Sequence, residues 1–276
     1  MPQRAWITWL AHAVLGATTL FVLFPYAWML VTSIKPIEDV IAWPLRWIPR
    51  AVTPDHYAAI LGDARFLRSL ANSMIVSVAV TAISLLLSVP AAYGLTRLVR
   101  GGGRPMLVGI LASQFFPPMV FFVPFYIMLQ SVGLLNTLPG LVFAFLSVTL
   151  PICTWMVATA LRDIPVEVEE AARIDGCGSL RIIWDIILPV AAPGIATAGI
   201  FAFVLSWQEY IFALLYTTSE RSQTAPVLMY YLLGQHQIDY ARLMAAAVLL
   251  TIPIAIPFAF IQRIYRGGLT EGGAKG

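Results

Sequence analysis

Six long apolar segments dominate the chain, and shorter stretches between them carry most of the charge. The segments cover residues 9–33, 71–96, 106–130, 137–161, 190–216 and 243–262. Each reaches the ~20 apolar residues that a helix needs to cross the ~30 Å hydrocarbon core of a bilayer. None shows the strict alternation of barrel strands, so the backbone polar groups must be satisfied within helices. The pattern predicts an all-α membrane protein with six transmembrane helices in a single domain, residues 1–276.

The composition supports this fold class and excludes several others. Hydrophobic residues make up 59% of the chain and charged residues only 11%, whereas soluble domains are about 25% charged. The mean hydropathy is +0.83. The small net charge of +3 is spread along the chain, which does not suggest nucleic-acid binding. The first apolar run is too long for a signal-peptide core, so we expect it to be retained as a span.

Basic residues predict the orientation in the membrane. The eight residues RLVRGGGR at 97–104 contain three arginines and no acid, which favours the cytoplasmic side. With both termini cytoplasmic, ten of the 17 basic residues lie inside: Arg4, Arg97, Arg100, Arg104, Arg162, Arg173, Arg181, Arg263, Arg266 and Lys275. The loop at 162–189 and the tail at 263–276 are then cytoplasmic as well.

That loop, IPVEVEEAARIDGCGSLRIIWDIILP from 164 to 189, gathers five acids and two arginines. Pro165 suits a helix start, and Gly176 suits a helix end because it readily adopts the left-handed conformation. The predicted first helix places one set of residues on a common face: Ile164, Val168, Ala171 and Ala172. Glu169 and Arg173 are spaced for an ion pair. Ser179 is a candidate cap for a second short helix, which we expect to end at Pro189.

Two interpretations of this helix–turn–helix remain open from the residues alone. It could lie on the membrane surface, as amphipathic helices often do. Such helices usually carry basic residues and large apolar side chains, however, whereas this one has alanines and acidic flanks. The small, acidic surface favours docking into a groove of a cytoplasmic protein.

The loop resembles the signature of permease subunits in bacterial binding-protein-dependent ABC importers. That signature reads Glu-Ala-Ala, three residues, Gly, nine residues, Ile, one residue, Leu-Pro, and 170–189 fit it without a gap. Further similar stretches are WMLVTSIKP, LANSMIVS, AAYGLTRL, NTLPGLVF and WQEYIFAL. The ending QRIYRGGLTEGGAKG resembles the carbohydrate branch, specifically the maltose-type second permease, although Gly273-Ala274 replaces the usual Ala-Val. The tail and the long segment at 34–68 point to that branch.

The resemblance implies a type I permease fold in which the loop is a cytoplasmic coupling helix seated in an ATP-binding cassette subunit. The implied ATPase-coupling residues are Glu167, Glu170, Ala171, Ala172, Asp175, Gly176, Leu188 and Pro189. The implied tail contacts, between two ATPase subunits, are Gly268, Leu269, Thr270 and Lys275. A second permease subunit (a heterodimer) and an extracytoplasmic solute-binding protein complete the implied assembly in the bacterial inner membrane.

No G-x-x-x-x-G-K-[ST] loop occurs in the chain, so we expect ATP and Mg²⁺ to be bound by partner subunits and this chain not to be an enzyme. Neither the three histidines nor the two cysteines form a metal-site pattern, and no metal or other cofactor is expected in this chain. A secondary transporter is a weaker alternative, since no inverted repeat is visible.

Glu209 is the acid placed well inside a predicted span, beside Trp207 and Tyr210. Buried ionisable residues in membranes are functional candidates. An inter-helix hydrogen bond, a place on the translocation path or gate together with Trp207 and Tyr210, and a proton relay all remain open for it. Trp207 and Tyr210 could instead be anchors at the membrane interface. An aromatic run could pack the core or stack against a sugar: Phe115, Phe116, Phe121, Phe122 and Tyr126. The resulting hypothesis is an importer permease for a di- or oligosaccharide, polyol or glycerol-phosphate-type solute, with a non-sugar solute as the alternative.

Overall fold

The computed structural model describes residues 3–99, 101–234 and 238–272, and these residues form helices and connecting segments without a β-strand. The α-helices in chain order are α1 (Gln3–Ser33), α2 (Ile37–Val40), α3 (Asp55–Leu61), α4 (Ala64–Tyr93), α5 (Gly103–Ala112), α6 (Phe122–Ser131), α7 (Leu138–Arg162), α8 (Val166–Ile174), α9 (Ser179–Arg181), α10 (Leu188–Trp207), α11 (Ile211–Tyr216), α12 (Ala225–Leu233) and α13 (Tyr240–Gly272). Two π-helical segments are inserted: the first π segment, Gly94–Leu98, follows α4, and the second π segment, Ile182–Ile187, joins α9 to α10.

The expected all-α membrane fold is confirmed. Among the described residues, five helical stretches are long and apolar enough to cross a bilayer: Trp6–Ser33, Ala64–Leu98, Leu138–Arg162, Ser179–Trp207 and Tyr240–Ala259. The remaining predicted span, the third in chain order, is a bent pair of helical stretches. Gly103–Phe115 and Pro118–Ser131 meet at an angle of 86°.

The bend in the third span follows from its two consecutive prolines. Phe116 and Pro117 have extended backbones, with ψ of 131° and 126°. A residue that precedes proline is disfavoured in the helical region, so both positions interrupt the helix. Two short 3₁₀ turns, Ser113–Phe115 and Pro118–Phe121, flank the break.

The described chain divides into two compact units. One contains Met1–Leu67 with Met229–Ile252, and the other contains Arg68–Leu228 with Pro253–Gly276. In the first unit, no residue of the most apolar stretch of α1 is buried within the chain. That helix therefore presents apolar side chains all round, as a helix in contact with lipid or with another membrane subunit does.

The segment after α1 is held by buried charges. Lys35 is 1% exposed; its Nζ donates a 2.6 Å hydrogen bond to the Arg46 carbonyl and lies 4.1 Å from the centre of the Trp28 ring. Asp39 accepts hydrogen bonds from the Arg50 backbone N–H at 2.8 Å and from the Arg46 guanidinium. These donors hold the pKa of Asp39 below its usual value, while burial lowers the pKa of Lys35.

The second unit is built around the close packing of α7 against α10. A Cβ added to Gly194 in α10 would lie 2.3 Å from the Cβ of Ala160 in α7. Small residues let membrane helices approach closely enough for extensive van der Waals contact. At the end of this helix pair that leads into α8, a buried cluster includes Val157, Leu161 and Ile187, and α8 packs on this cluster.

Candidate functional site

Helix α8 has the local boundaries that the sequence predicts. It begins directly after Pro165, and its first turn contains Glu167 and Glu169, which complement the positive end of the helix dipole. At its other end Gly176 has a φ of +82°. The Cys177 N–H donates to the Ala172 carbonyl at 3.0 Å and the Gly176 N–H donates to that of Arg173 at 3.1 Å. This pair of bonds is the Schellman motif, and it fixes the end of the helix.

A buried ion pair attaches α8 to two membrane-spanning helices. The Arg97 Nε donates a 2.6 Å hydrogen bond to Oε1 of Glu169, and the Tyr93 hydroxyl donates to Oε2 at 3.0 Å. A terminal nitrogen of Arg97 donates to the carbonyls of Leu161 and Ile164 at 2.8 and 2.7 Å. The side chains of Arg97 and Glu169 are 9% and 1% exposed. We refer to Arg97, Tyr93 and Glu169 as the clamp.

The clamp connects three elements at one point. Tyr93 ends α4, Arg97 lies in the first π segment, and Glu169 belongs to α8. The carbonyls that Arg97 contacts belong to the last turn of α7 and to the connection into α8. A carboxylate that is charged and buried needs such a partner, because an unpaired charge inside a protein is strongly unfavourable. The helix is therefore fixed in rotation as well as in position.

The predicted ion pair between Glu169 and Arg173 is confirmed, with a separation of 3.5 Å. It contributes less than the clamp, since the Arg173 side chain is 49% exposed.

The predicted common face of α8 is wrong. Ile164 and Ala172 are 5% and 6% exposed and belong to the buried cluster, whereas Val168 is 38% exposed and Ala171 is also exposed. The need to bury Glu169 against Arg97 turns the Glu169–Ala172 side of the helix inward. The opposite side of the helix is exposed, and Ala172 faces this chain's own core.

The outward side of α8 collects most of the predicted coupling residues. The exposed positions are Glu167, Glu170, Ala171, Asp175 and Gly176. They form a surface of three carboxylates, one methyl group and a backbone turn. We refer to these five residues as the acidic face.

The second half of the predicted loop differs from expectation. Gly178 occupies the cap position instead of Ser179, and Ser179 begins an apolar helical run that extends without a break to Trp207. Pro189 does not end a helix, because it lies in the first turn of α10 directly after the second π segment. Leu188 is half-buried and Pro189 is exposed.

Glu209 caps a helix. Its carboxylate accepts hydrogen bonds from the backbone N–H groups of Ile211, Phe212 and Ala213 at 3.1–3.3 Å, which start α11. The fifth span is therefore interrupted after Trp207, and the predicted continuous segment 190–216 is wrong. Of the three roles left open for Glu209, the inter-helix hydrogen bond is not found among the described residues, and its carboxylate bonds within this turn instead. A carboxylate at this position satisfies N–H groups that a helix start leaves without partners.

The neighbours of Glu209 have different surroundings. Trp207 is 4% exposed and stacks on Phe203 with ring centres 5.7 Å apart, so it belongs to the core and is not an interface anchor. Tyr210 is half-buried. Glu209 also lines a cavity of about 210 Å³ together with Phe122 and Phe145.

The members of the aromatic run differ in their packing and exposure. Phe122 packs edge-on against Phe212 with ring centres 5.1 Å apart. Phe115 and Phe116 are 85% and 62% exposed.

Three of the four predicted tail contacts lie within the described residues. Gly268, Leu269 and Thr270 lie in the backbone of α13, which continues to Gly272. Lys275 lies outside the described residues.

The clamp is the part of the site that sequence reasoning missed. The sequence indicates only a cytoplasmic charge at Arg97, and no local signal pairs it with an acid 72 residues away along the chain. The stretch AAYGLTRL did contain both Tyr93 and Arg97.

Comparison with known proteins identifies the chain's relatives. Residues 84–270 match the family described as "Binding-protein-dependent transport system inner membrane component". The sulfoquinovosyl glycerol transport system permease of Agrobacterium fabrum is 35% identical, with 92% of this chain and 89% of the relative covered. The trehalose/maltose transport system permease of Thermococcus litoralis is 32% identical, with 92% of each chain covered.

Solved structures agree on the fold. A chain of a bacterial ABC transporter that imports the acidic polysaccharide alginate superposes with a TM-score of 0.80 at 22% identity, with 95% of this chain and 98% of that chain covered. A chain of the MetNI methionine ABC transporter superposes with a TM-score of 0.57 at 17% identity, with coverage of 74% and 98%. The chain belongs to the inner membrane components of binding-protein-dependent transport systems, the permease subunits of ABC transporters.

Proposed function

We propose that this chain forms half of the translocation pathway of an ATP-driven importer for a sugar or sugar-like solute. In this proposal α8 is the coupling helix, which docks into an ATP-binding cassette subunit through its acidic face. The observation that carries the proposal is that α8 is fixed by the clamp on one side and exposes the acidic face on the other. A helix held in this way passes an applied displacement to the spans instead of rotating in place.

The sugar class is supported by the relatives. Permeases at 30–35% identity are named for sulfoquinovosyl glycerol, trehalose and diacetylchitobiose transport. A methionine importer shares the fold, so the fold alone does not select the solute. Exposed Phe115 and Phe116 would suit stacking on sugar rings, because pyranose faces are apolar.

The partners follow from the same proposal. We infer a second permease subunit, two ATP-binding cassette subunits that bind ATP and Mg²⁺ and catalyse hydrolysis, and an extracytoplasmic solute-binding protein. The alginate transporter, whose structure was solved with a pentasaccharide-bound periplasmic protein, offers a precedent for the last of these. The two termini and α8 would then lie on the cytoplasmic side.

The test combines docking and uptake measurements. The chain is co-expressed with its neighbouring transport genes, and the ATP-binding subunit that co-purifies is quantified. Glu170→Lys reverses a charge on the acidic face, and Gly176→Asp strains the turn that ends α8. Both variants should insert normally, lose the ATP-binding subunit and abolish uptake. Glu38→Lys, an exposed charge reversal on the predicted outer side, is the matched control for docking.

Several outcomes bear on the separate parts of the proposal. Normal docking and uptake by both variants would refute coupling through α8. Uptake of an amino acid but of no sugar in a labelled panel would refute the sugar class and leave coupling intact. Truncation after Arg266 should reduce coupling less than either variant; loss of membrane insertion would show that the tail is needed for folding.

A further inference from the structure

A cavity of about 340 Å³ opens at the ends of three spans, close to the clamp. Its lining residues come from the first π segment, the following turn and the end of α7: Leu95, Thr96, Val99, Gly101, Gly103, Arg104 and Arg162. Leu98 and Arg162 end two of the candidate spans, and Gly103 begins the third. The cavity therefore lies at the boundary between hydrocarbon and the aqueous side that carries α8.

Glycine packing creates this cavity. A Cβ at Gly103 would lie only 1.8 Å from the Leu95 carbonyl oxygen, so glycine alone allows α5 to start directly against the first π segment. Gly101 has a φ of +75°, which allows the tight turn that precedes α5. This close return brings Arg104 into the lining of the same cavity as Thr96 and Val99.

Two cations, Arg104 and Arg162, line the cavity. In the part of the chain that the structure describes, Arg104 and Arg162 are exposed and make neither a hydrogen bond nor an ion pair, and no carboxylate lines the cavity. The other arginines described near α8 are paired: Arg97 and Arg173 with Glu169, and Arg181 with Asp185. Two unpaired guanidinium groups that share one concavity repel each other, and a bound anion would offset this repulsion.

We propose that this cavity binds the phosphate of an anionic phospholipid headgroup. Guanidinium groups match phosphate oxygens in geometry and charge. Basic pockets between transmembrane helices at the membrane surface are suited to headgroups of this kind. Leu95 and Val99 supply apolar walls where the glycerol and first acyl carbons would lie. The volume is at the lower end of the ~300–1,000 Å³ typical of ligand sites, which suits a headgroup.

A bound headgroup would act next to the clamp. Arg162 directly follows Leu161, whose carbonyl accepts a hydrogen bond from Arg97. Occupancy would therefore hold the end of α7 against the first π segment, at the joint on which α8 depends. The site is independent of the proposed solute and does not require the importer function.

The experiment uses the full chain with its co-purified subunits. The purified complex is titrated with phosphatidylglycerol or phosphatidylcholine in detergent, and retained lipid is measured by native mass spectrometry. The variants are Arg104→Gln, Arg162→Gln and the double variant. Arg181→Gln is the matched control, since it removes a positive charge on the same predicted side of the membrane but outside the cavity.

We expect preferential retention of phosphatidylglycerol, with each cavity variant weakening it about fivefold and the double variant about 25-fold. Fivefold per arginine corresponds to about 1 kcal/mol near an anionic surface. The control should change retention less than twofold.

Three results would overturn the proposal. The first is equal retention by the double variant and the wild type. The second is displacement of phosphatidylglycerol by inorganic phosphate at similar concentration, which would identify a site for a free anion. The third is loss of the ATP-binding subunit from the double variant with lipid retention unchanged, which would assign the arginines to a protein contact.

Discussion

Replacing Arg97 with glutamine would leave Glu169 as a buried carboxylate without its main cationic partner. Glutamine is too short to reach the Leu161 and Ile164 carbonyls in the same geometry, so these acceptors would lose their donor as well. The change tests whether the clamp fixes α8 on the spans.

The expected magnitude follows from burial. Because the two side chains are 9% and 1% exposed, water cannot solvate the remaining carboxylate. Breaking one partner of such a pair costs about 3–5 kcal/mol in folding free energy. The double variant Arg97→Gln/Glu169→Gln removes both charges, so we expect it to lose about 2 kcal/mol less than the sum of the single variants.

The chain supplies a matched control on the same carboxylate. Arg173 lies 3.5 Å from Glu169 but is 49% exposed, so Arg173→Gln should cost less than about 1 kcal/mol. The measurement is unfolding in mixed micelles, followed by tryptophan fluorescence. In the reconstituted importer, ATP hydrolysed per solute transported should rise for Arg97→Gln and stay unchanged for Arg173→Gln.

Two results would refute this reasoning. One is equal destabilisation by the Arg97 and Arg173 variants, which would mean that the buried pair has no special role. The other is strict additivity of the two single variants at positions 97 and 169, which would show that the two side chains do not interact in the folded protein.

Three further predictions follow from single positions. Gly176→Ala should lower stability by about 1 kcal/mol, because an alanine at the observed φ of +82° is strained, while Gly176→Asn should cost less in the same unfolding assay. Gly194→Ala should cost about 1–3 kcal/mol through overpacking, and Gly109→Ala, which has no neighbour within 4 Å, should not; equal effects would contradict the close helix contact. Asp39 has a lowered pKa, so its stabilising contribution is present above the unfolded value of about 3.9 and is lost as pH falls through the folded pKa. The difference in thermal midpoint between wild type and Asp39→Asn should therefore shrink between pH 6 and pH 3, and a constant difference would contradict this assignment.

The spans were predictable because they depend on local apolar length. Five predicted segments overlap continuous helical stretches, with ends that differ by several residues, and the prolines at 117 and 118 mark the bend in the third. The break after Trp207 was missed because no proline or glycine lies there. Its cause is the Glu209 side chain, which starts a new helix in an apolar sequence context.

The ends of α8 can be predicted from the sequence, but its rotation about its own axis cannot. Pro165 and Gly176 set its ends through local backbone preferences, which can be inferred from sequence. Its rotation depends on a buried carboxylate and a distant arginine. An apolar-face rule assigns charged residues to the outside, so it placed Glu169 on the wrong side. Only the three-dimensional structure shows which of the acids is paired with a buried arginine.

Arg97 lies inside the first π segment, so its direction depends on residue count as well as on residue identity. Each residue of an α-helix rotates the next side chain by about 100°, and a π segment accommodates extra residues within a turn. Deleting one residue just before Arg97 would restore α-helical spacing and swing the guanidinium away from Glu169, with every contacting residue still present. Alignments of related chains are therefore expected to keep constant length between Tyr93 and Arg97, even where the residues between them vary.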